Sequence, residues 1–548
     1  MNGGPPTEIS RAANEFIPGT MTKIRRLTLL AASLAIVASS ARGATPDPLK
    51  AVDIDRLVKR TMALYQVPGI AVGIVKGGKL VFAKGYGVRE LGKEGAVDPD
   101  TLFGIASNSK AFTAAALAIL VDEGKIHWDD RVIDYLPEFR LYDPYVTREF
   151  TIRDLLTHRS GLGLGAGDLL FFPNTDFERK DVLHALQYLK PATSFRSTYA
   201  YDNNLYVVAG QIIPAVTGQS WEDFVTSRIL EPLHMAPCVA TPARLTDRSN
   251  IASPHAPVEG KVTVIRPGDT RMAAAAGGIQ CNITGLAKWQ LTQLGHGQAK
   301  DGPRIFSDAQ GAEMWRPQTI IYPPAKRAEL TRTHFGAYGL GWALEDFNGY
   351  KRISHSGGLE GMVTYQSLIP ELDLGVIVLT NAQEGEALTT IAWQINDAYT
   401  GGAKRDWVTI MQDLKVQNAR DLADSDKKRV PSPAAGVDLT KLDLDPYLGT
   451  YSDAWRGEAA VTREPRGLTL TFSHTSELTG PLTALRPGLF VVHWKNRAIN
   501  ADAYVRFRED SMGAVEGFTM EPVSATTDFS FDFQDLDFHR VPAAAAAK

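Results

Sequence analysis

The sequence predicts an α/β protein of the α+β type, in which a domain of helices and hairpins is followed by an all-β domain. Up to about residue 400, segments with helical periodicity alternate with paired apolar runs that are typical of hairpins. Beyond residue 438, apolar and polar residues alternate in short runs broken by Gly and Pro, which indicates half-buried strands. A chain of 548 residues is also too long for one ordinary domain, so two or three are expected.

The first domain begins with a helix, a hairpin and an unusually apolar helix. Apolar residues recur with helical spacing over residues 53–65, which predicts one buried helix face. Two apolar runs over residues 69–88 flank Gly77-Gly78, which predicts a hairpin. Residues 111–121 are apolar all round, and such a helix is expected to be buried on every side.

The remaining elements of this domain follow the same patterns. Residues 150–300 are rich in helical patterns, and we predict helices over residues 221–230 and 286–294. A second hairpin is predicted over residues 362–379, and a closing helix over residues 385–399.

The chain changes character after this helix. Residues 403–438 combine charge runs with Pro and Gly and are typical of a polar linker. The strands predicted after it include the alternating positions Phe529, Phe531 and Phe533. The chain is therefore divided into an N-terminal segment, a first domain, a linker and a β-domain, over residues 1–44, 45–402, 403–438 and 439–548.

The N-terminus predicts a secretory signal. The basic residues Lys23 to Arg26 precede an apolar run from Leu27 to Ala38, and small residues follow it. This run is too short to span a bilayer comfortably. We expect residues 1–44 to be an extension with a signal peptide, with Met21 as an alternative start, and the chain to be exported to a periplasm.

Composition excludes several classes of protein. The net charge of −4 is spread without basic blocks, so nucleic-acid binding is not expected. No later segment is apolar enough to predict a membrane span, and no metal-ligand or cofactor motif occurs, so neither a metal nor a cofactor is expected. The two cysteines, Cys238 and Cys281, are compatible with one disulfide or with two buried thiols. The oligomeric state stays open.

The start of the apolar helix carries the most informative residues. Ser107 and Lys110 stand three positions apart, so their side chains share one helix face. An unpaired buried lysine is costly, and a desolvated lysine loses its proton near neutral pH and activates a neighbouring hydroxyl. This is the S-x-x-K arrangement of a nucleophilic serine.

Two further motifs follow in order, Tyr201-Asp202-Asn203 and His355-Ser356-Gly357 with Gly358 behind it. Together with Ser107 and Lys110 they resemble the class C branch of the β-lactamase-like and penicillin-binding-protein-like serine hydrolases, whose motifs are S-x-x-K, Y-x-N and K-T-G, often with histidine for that last lysine. Three flanking segments also resemble this family: Gly124–Asp130, Asp154–Gly161 and Tyr338–Trp342.

The resemblance implies an antiparallel sheet flanked by helices, a helical subdomain and a cleft between them, with residues 45–402 as the catalytic domain. It implies that Ser107 forms an acyl-enzyme and that Lys110 and Tyr201 share the removal of its proton, with neither assigned as the base. Asn203 would hold a substrate amide or Lys110. The C-terminal segment resembles the lipocalin-like β-domain of some of these hydrolases, which would shape the cleft or mediate oligomerisation.

The glycine and histidine positions receive roles in the same way. His355 would lie on the edge strand and orient Tyr201 or bind a substrate carboxylate. Gly357 and Gly358 would contact substrate, and the backbone N–H groups of Ser107 and Gly358 would form the oxyanion hole.

Each residue also has a structural explanation. Ser107 alone is compatible with a helix N-cap, Lys110 with a surface-reaching lysine, Tyr201 with a core aromatic and His355 with a turn histidine. All four structural explanations would have to apply at the same time, so the explanation by family resemblance is favoured.

The family includes several hydrolases, and the sequence favours one class of substrate. We expect a peptidase or amidase acting on short linear peptides, including D-residue-containing or nonribosomal ones such as linearised microcystin. A carboxylesterase, a β-lactamase or a D,D-carboxypeptidase is the alternative, and a non-catalytic protein that binds peptides or cell-wall fragments is the alternative of another class.

Overall fold

The computed structural model of the chain describes residues 52–402, 404–429 and 438–542. The predicted signal segment over residues 1–44 lies outside the described residues. In the part of the chain that is described, no helix combines the length and apolarity needed to cross a membrane.

The centre of the first domain is an antiparallel sheet of eight strands. These strands are β1 Gly69–Lys76, β2 Lys79–Gly87, β7 Thr319–Ile321, β8 Gly336–Tyr338, β9 Ala343–Phe347, β10 Tyr350–Leu359, β11 Met362–Ile369 and β12 Leu374–Thr380. They are arranged in the order β2-β1-β12-β11-β10-β9-β8-β7, and the predicted hairpins are confirmed as β1–β2 and β11–β12. Two short pairs lie outside it: β3 Phe103–Gly104 with β6 Gln280–Cys281, and β4 His255–Val258 with β5 Lys261–Val264.

Helices cover both faces of this sheet, which explains why strands β1 and β12 are apolar at nearly every position. Ile70 and Val72 of β1 pack in the cluster formed with the first and closing helices, whereas Ala71 and Val75 pack in the cluster of the helical subdomain. The helices are Ile54–Tyr65, Ser109–Asp122, Pro144–Glu149, Ile152–Leu156, Arg179–Ala185, Asn204–Thr217, Trp221–Val225, Ala274–Gly277, Ile283–Leu294, Asp308–Met314, Ala325–Thr331, Gly385–Thr400 and Trp407–Arg429.

The C-terminal domain is a closed barrel of eight antiparallel strands, each paired with its neighbours in sequence, so the predicted all-β domain is confirmed. Its strands are β13 Gly449–Asp453, β14 Gly457–Glu464, β15 Gly467–Phe472, β16 Thr475–Arg486, β17 Leu489–Val492, β18 Ala503–Glu509, β19 Val515–Pro522 and β20 Asp537–Arg540. Aromatic side chains fill its interior: Phe507 lies 5.4 Å from Phe518, and Phe518 lies 4.6 Å from Phe538, between ring centroids.

Three local predictions differ from the structure. The helix predicted over residues 221–230 ends at Val225 and continues as a π-helical turn, Thr226–Leu230. The segment predicted as a polar linker contains the helix Trp407–Arg429, which is anchored by the buried ring of Trp407. Phe529, Phe531 and Phe533 belong to no strand, because this loop between β19 and β20 turns towards the first domain instead of pairing in the barrel.

The two cysteines form a disulfide. Cys238 is joined to Cys281 across 43 residues. Cys281 lies in β6, which pairs with β3 directly before the Ser107 turn, so the disulfide ties the helical subdomain to the strand that leads into this turn.

Candidate active site

Ser107 lies in a tight turn between β3 and the helix Ser109–Asp122. The preceding residue, Ala106, has a backbone φ of +51°, a left-handed conformation that residues other than glycine rarely adopt. Asn108 holds the turn, because its Nδ2 donates to Thr364 Oγ1 at 2.9 Å and to the carbonyl oxygen of Ile105 at 3.2 Å. A strained residue fixed by its neighbours is a recurrent feature of functional sites.

Lys110 is completely buried and makes three polar contacts at its Nζ. The amine lies 3.1 Å from the carbonyl oxygen of Ala276, 2.7 Å from Asn203 Oδ1 and 3.0 Å from Ser107 Oγ. The first two partners only accept, so a neutral amine donates both of its hydrogens to them and directs its lone pair at the serine hydroxyl. Burial lowers the pKa of Lys110 from 10.5 to about 7, against the raising effect of Asp168 and Asp202.

Tyr201 lies beside the same pair of residues. Its ring centroid is 4.8 Å from Lys110 Nζ, and the neighbouring Ser107 hydroxyl acts to lower the pKa of its phenol. Burial raises the pKa of Tyr201 well above 10, and the Ser107 contact opposes this only in part. Tyr201 is therefore a neutral phenol at neutral pH, able to pass on a proton but poorly suited to remove one.

His355 lies in the site, but its strand and its hydrogen-bond partner differ from the predicted ones. It lies on β10, an inner strand of the sheet, but the ladder between β10 and β9 ends at Ser354, so His355 begins a local free edge. Its partner is not Tyr201, whose ring centroid is 6.3 Å away; the Tyr338 hydroxyl lies 2.7 Å from His355 Nε2.

The contacts of His355 define its protonation. Nδ1 lies 2.5 Å from the carbonyl oxygen of Ser356, so Nδ1 carries the hydrogen and Nε2 accepts from Tyr338. Burial, and to a lesser extent the positive charge of Lys110, lowers the pKa of His355 to about 3. A neutral imidazole cannot supply the cation that a substrate carboxylate would need, which argues against one of the two predicted roles.

The two glycines predicted to contact substrate, Gly357 and Gly358, differ in their surroundings. A Cβ on Gly357 would lie 2.3 Å from the carbonyl oxygen of Ile105, so this position packs directly against the turn of Ser107. A Cβ on Gly358 would meet nothing within 4 Å, because this residue borders the cleft. Ser107 and Gly358 line the same cavity, as the predicted pair of backbone donors requires.

The cavity has a volume of about 530 Å³ and is built by both domains. The predicted site residues Ser107, Tyr201, Asn203 and His355 line it, and so does Phe529 of the loop between β19 and β20. Phe529 stands edge-on to Tyr201 with ring centroids 6.0 Å apart. The barrel therefore shapes the cleft, which was one of its two predicted roles.

Three residues of the site were not predicted. His158 packs against Tyr201 with ring centroids 4.3 Å apart. The Tyr338 hydroxyl is hydrogen-bonded to His355, and Asp168 accepts a hydrogen bond from Asn203 at 2.8 Å. His158 and Tyr338 belong to the flanking segments that resemble the family, and that signal could have identified them. No motif marks Asp168. Among the described residues, no cluster of three or more His, Cys, Asp or Glu side chains could hold a metal ion.

Comparisons with known proteins agree with this geometry. A family model described as Beta-lactamase matches residues 54–400, and a second, described as a domain of unknown function (DUF3471), matches residues 435–540. The unguisins hydrolase ungD' of Aspergillus campestris is 28% identical over 449 residues, covering 77% of this chain and 79% of that protein. Penicillin-binding protein 4 of Amycolatopsis lactamdurans is 29% identical over 328 residues, covering 58% of this chain and 81% of that protein.

The fold has a counterpart among solved structures. The octameric penicillin-binding protein homologue from Pyrococcus abyssi superimposes with a TM-score of 0.57 at 21% identity, covering 89% of this chain and 100% of that one. At this identity the likeness concerns the fold, which extends over both domains.

Proposed function

Since the chain belongs to the Beta-lactamase family, we propose that it is a serine hydrolase that forms an acyl-enzyme on Ser107 and cleaves amide bonds in short linear peptides. The observation that carries the proposal is the buried Lys110, which lies 3.0 Å from the Ser107 hydroxyl with a pKa lowered to about 7. Such an amine is available as a base at neutral pH, whereas an exposed lysine is not.

The first half of the reaction uses the lone pair of Lys110. The amine removes the Ser107 proton while the serine oxygen attacks the substrate carbonyl, and the backbone N–H groups of Ser107 and Gly358 stabilise the oxyanion. The Tyr201 hydroxyl gives its proton to the leaving nitrogen and regains one from Lys110. Lys110 is then neutral again and, through Tyr201, takes a proton from the water that releases the acyl group.

The surroundings of His355 favour a linear peptide amide over a β-lactam antibiotic as the substrate. The family position is often a lysine, which provides a cation for the antibiotic carboxylate, whereas His355 is neutral because burial lowers its pKa to about 3. The aromatic walls formed by Phe171, Phe172 and Phe529 suit an extended apolar peptide. Relatives named unguisins hydrolase support hydrolysis as the reaction.

A mass-spectrometric time course tests this proposal. Purified wild type and Ser107→Ala are incubated with linear L- and D-peptides, a linearised cyclic peptide such as linearised microcystin, nitrocefin and a short-chain ester. We expect peptide cleavage by the wild type alone. Turnover confined to nitrocefin or the ester would replace the peptidase with a β-lactamase or a carboxylesterase, and binding without turnover of any substrate would favour a binding protein.

Mutational coupling tests the shared mechanism. Ser107→Ala and Lys110→Ala should each abolish nearly all turnover, and the double variant should be little worse than either because the two residues act as a unit. Losses that add up in the double variant would contradict the assigned roles.

We further infer that the chain is exported to a periplasm. The basic, apolar and small-residue order of residues 23–43 supports export. The disulfide between Cys238 and Cys281 supports an oxidising compartment. N-terminal sequencing of the protein isolated from its own cells tests this inference, because a mature chain that retains residues 23–43 would contradict it.

A further inference from the structure

The loop between β19 and β20 of the barrel is hydrogen-bonded to the catalytic domain. The Asp532 carboxylate accepts from the backbone N–H of Gly167 at 2.6 Å and from that of Leu169 at 3.1 Å. The Ser530 hydroxyl donates to Asp168 Oδ2 at 2.9 Å. Asp168 and Asp532 are completely inaccessible to solvent and Ser530 is buried, so these contacts are shielded from water.

Asp168 links this loop to the catalytic lysine. Its Oδ2 accepts from Ser530 and also from Asn203 Nδ2 at 2.8 Å. Within the described chain Oδ1 has no hydrogen-bond partner, so if Asp168 is protonated the proton lies on Oδ1 and Oδ2 still accepts both bonds. In either protonation state, Asp168 therefore holds the amide nitrogen of Asn203.

The orientation of Asn203 matters because its two amide ends have opposite character. With Nδ2 held by Asp168, the amide oxygen faces Lys110 Nζ at 2.7 Å. A rotated amide would place an N–H donor against the N–H groups of the amine, and the amine would lose one of the two acceptors that direct its lone pair at Ser107.

We propose that the barrel is a working part of the active site, in which Ser530 holds Asp168 and Asp168 orients the Asn203 amide towards Lys110. Ser530, Asp168 and Asn203 act as positioning residues. The inference rests on the proposed function, since it concerns the lysine that activates Ser107. It gives the C-terminal domain a role in the chemical step in addition to shaping the cleft.

The experiment compares two serines of the same barrel loop in the full-length chain. Ser530→Ala removes the hydrogen bond to Asp168. Ser524→Ala is the control, because it removes a similar hydrogen bond, from Ser524 Oγ to Asp426 at 2.7 Å, whose acceptor lies in the helix Trp407–Arg429. The second-order rate of labelling by a small fluorophosphonate is measured for each, together with thermal unfolding. The small probe does not fill the cleft, so a lost contact between Ser530 and a long substrate would not alter its rate.

We expect Ser530→Ala to label about tenfold more slowly than wild type, since small misplacements of a catalytic group cost one to two orders of magnitude. Ser524→Ala should label at the wild-type rate, and Ser530→Thr, which keeps the hydroxyl, should recover most of the loss. If Ser530→Ala does not fold, Ser530→Cys serves instead, because a thiol is a weak donor of similar size.

A double-mutant cycle distinguishes an effect of Ser530 that passes through Asn203 from a general destabilisation of the site. If Ser530 acts through Asn203, Ser530→Ala should cost nothing further in an Asn203→Ala background. Independent effects, or a Ser530→Ala chain that labels like wild type, would overturn the relay and leave the proposed function intact. A wild-type chain that does not label at all would overturn the proposed function, and the relay would fall with it.

Discussion

The lowered pKa of Lys110 has a measurable consequence for the rate of acylation. At the ordinary pKa of 10.5, about one lysine in 3,000 is neutral at pH 7, since each pKa unit is a factor of ten. At a pKa of about 7, about half is neutral. Burial therefore raises the reactive fraction of Lys110 by about 1,500-fold at pH 7.

The sign of the pH dependence follows from this. Only the neutral amine accepts the Ser107 proton, so the rate of labelling by a fluorophosphonate should rise with pH and reach half its maximum near pH 7. His355 contributes no step between pH 5 and 9, because its pKa is lowered to about 3. Tyr201 contributes none either, because its pKa is raised well above 10.

Three buried or half-buried carboxyl groups, Asp202, Glu360 and Glu384, also have pKa values of about 7. Asp202 needs a control because its charge acts on Lys110. Burial raises the pKa of Asp202 to about 7, and its negative charge raises the pKa of Lys110. In Asp202→Asn, the step in labelling should persist and move to lower pH, because the amine loses a nearby anion. A step that vanishes in Asp202→Asn, or a wild-type midpoint above pH 9, would refute the assignment of Lys110 as the base.

Two further predictions concern the scaffold of the site. Gly357→Ala should lower labelling about 100-fold and destabilise the chain, because its Cβ would lie 2.3 Å from the Ile105 carbonyl oxygen, whereas Gly358→Ala should unfold at the wild-type temperature. Equal thermal stability of the two glycine variants would contradict this packing. Replacing Cys238 and Cys281 together by alanine should cost about 2–4 kcal/mol in guanidinium unfolding, since their disulfide closes a 43-residue separation; an unchanged free energy of unfolding would contradict that role.

The elements that follow from local patterns could be predicted from the sequence. Ser107 and Lys110 share a helical turn, and the hairpins β1–β2 and β11–β12 pair across short turns, so neighbouring residues determine both. The burial of residues 111–120 also follows locally, because this helix has no polar face.

The features that could not be predicted depend on contacts between distant parts of the chain. Tyr338 meets His355 only through the strand order of the sheet, and His355 lies at a free edge only because β9 is shorter than β10. Ser530 lies 362 positions from Asp168, so no spacing rule connects them. Phe529 and Phe531 alternate with polar residues as in a strand, yet two of these polar residues, Ser530 and Asp532, form hydrogen bonds with the first domain.

The most direct test of the central claim is to locate the covalent intermediate. Wild type and Lys110→Ala are treated with a fluorophosphonate at pH 8, digested and mapped by mass spectrometry. The account predicts one adduct, on the peptide that contains Ser107, which forms rapidly in wild type and at a small fraction of that rate in Lys110→Ala. An adduct on another serine, or equal labelling of both proteins, would contradict it.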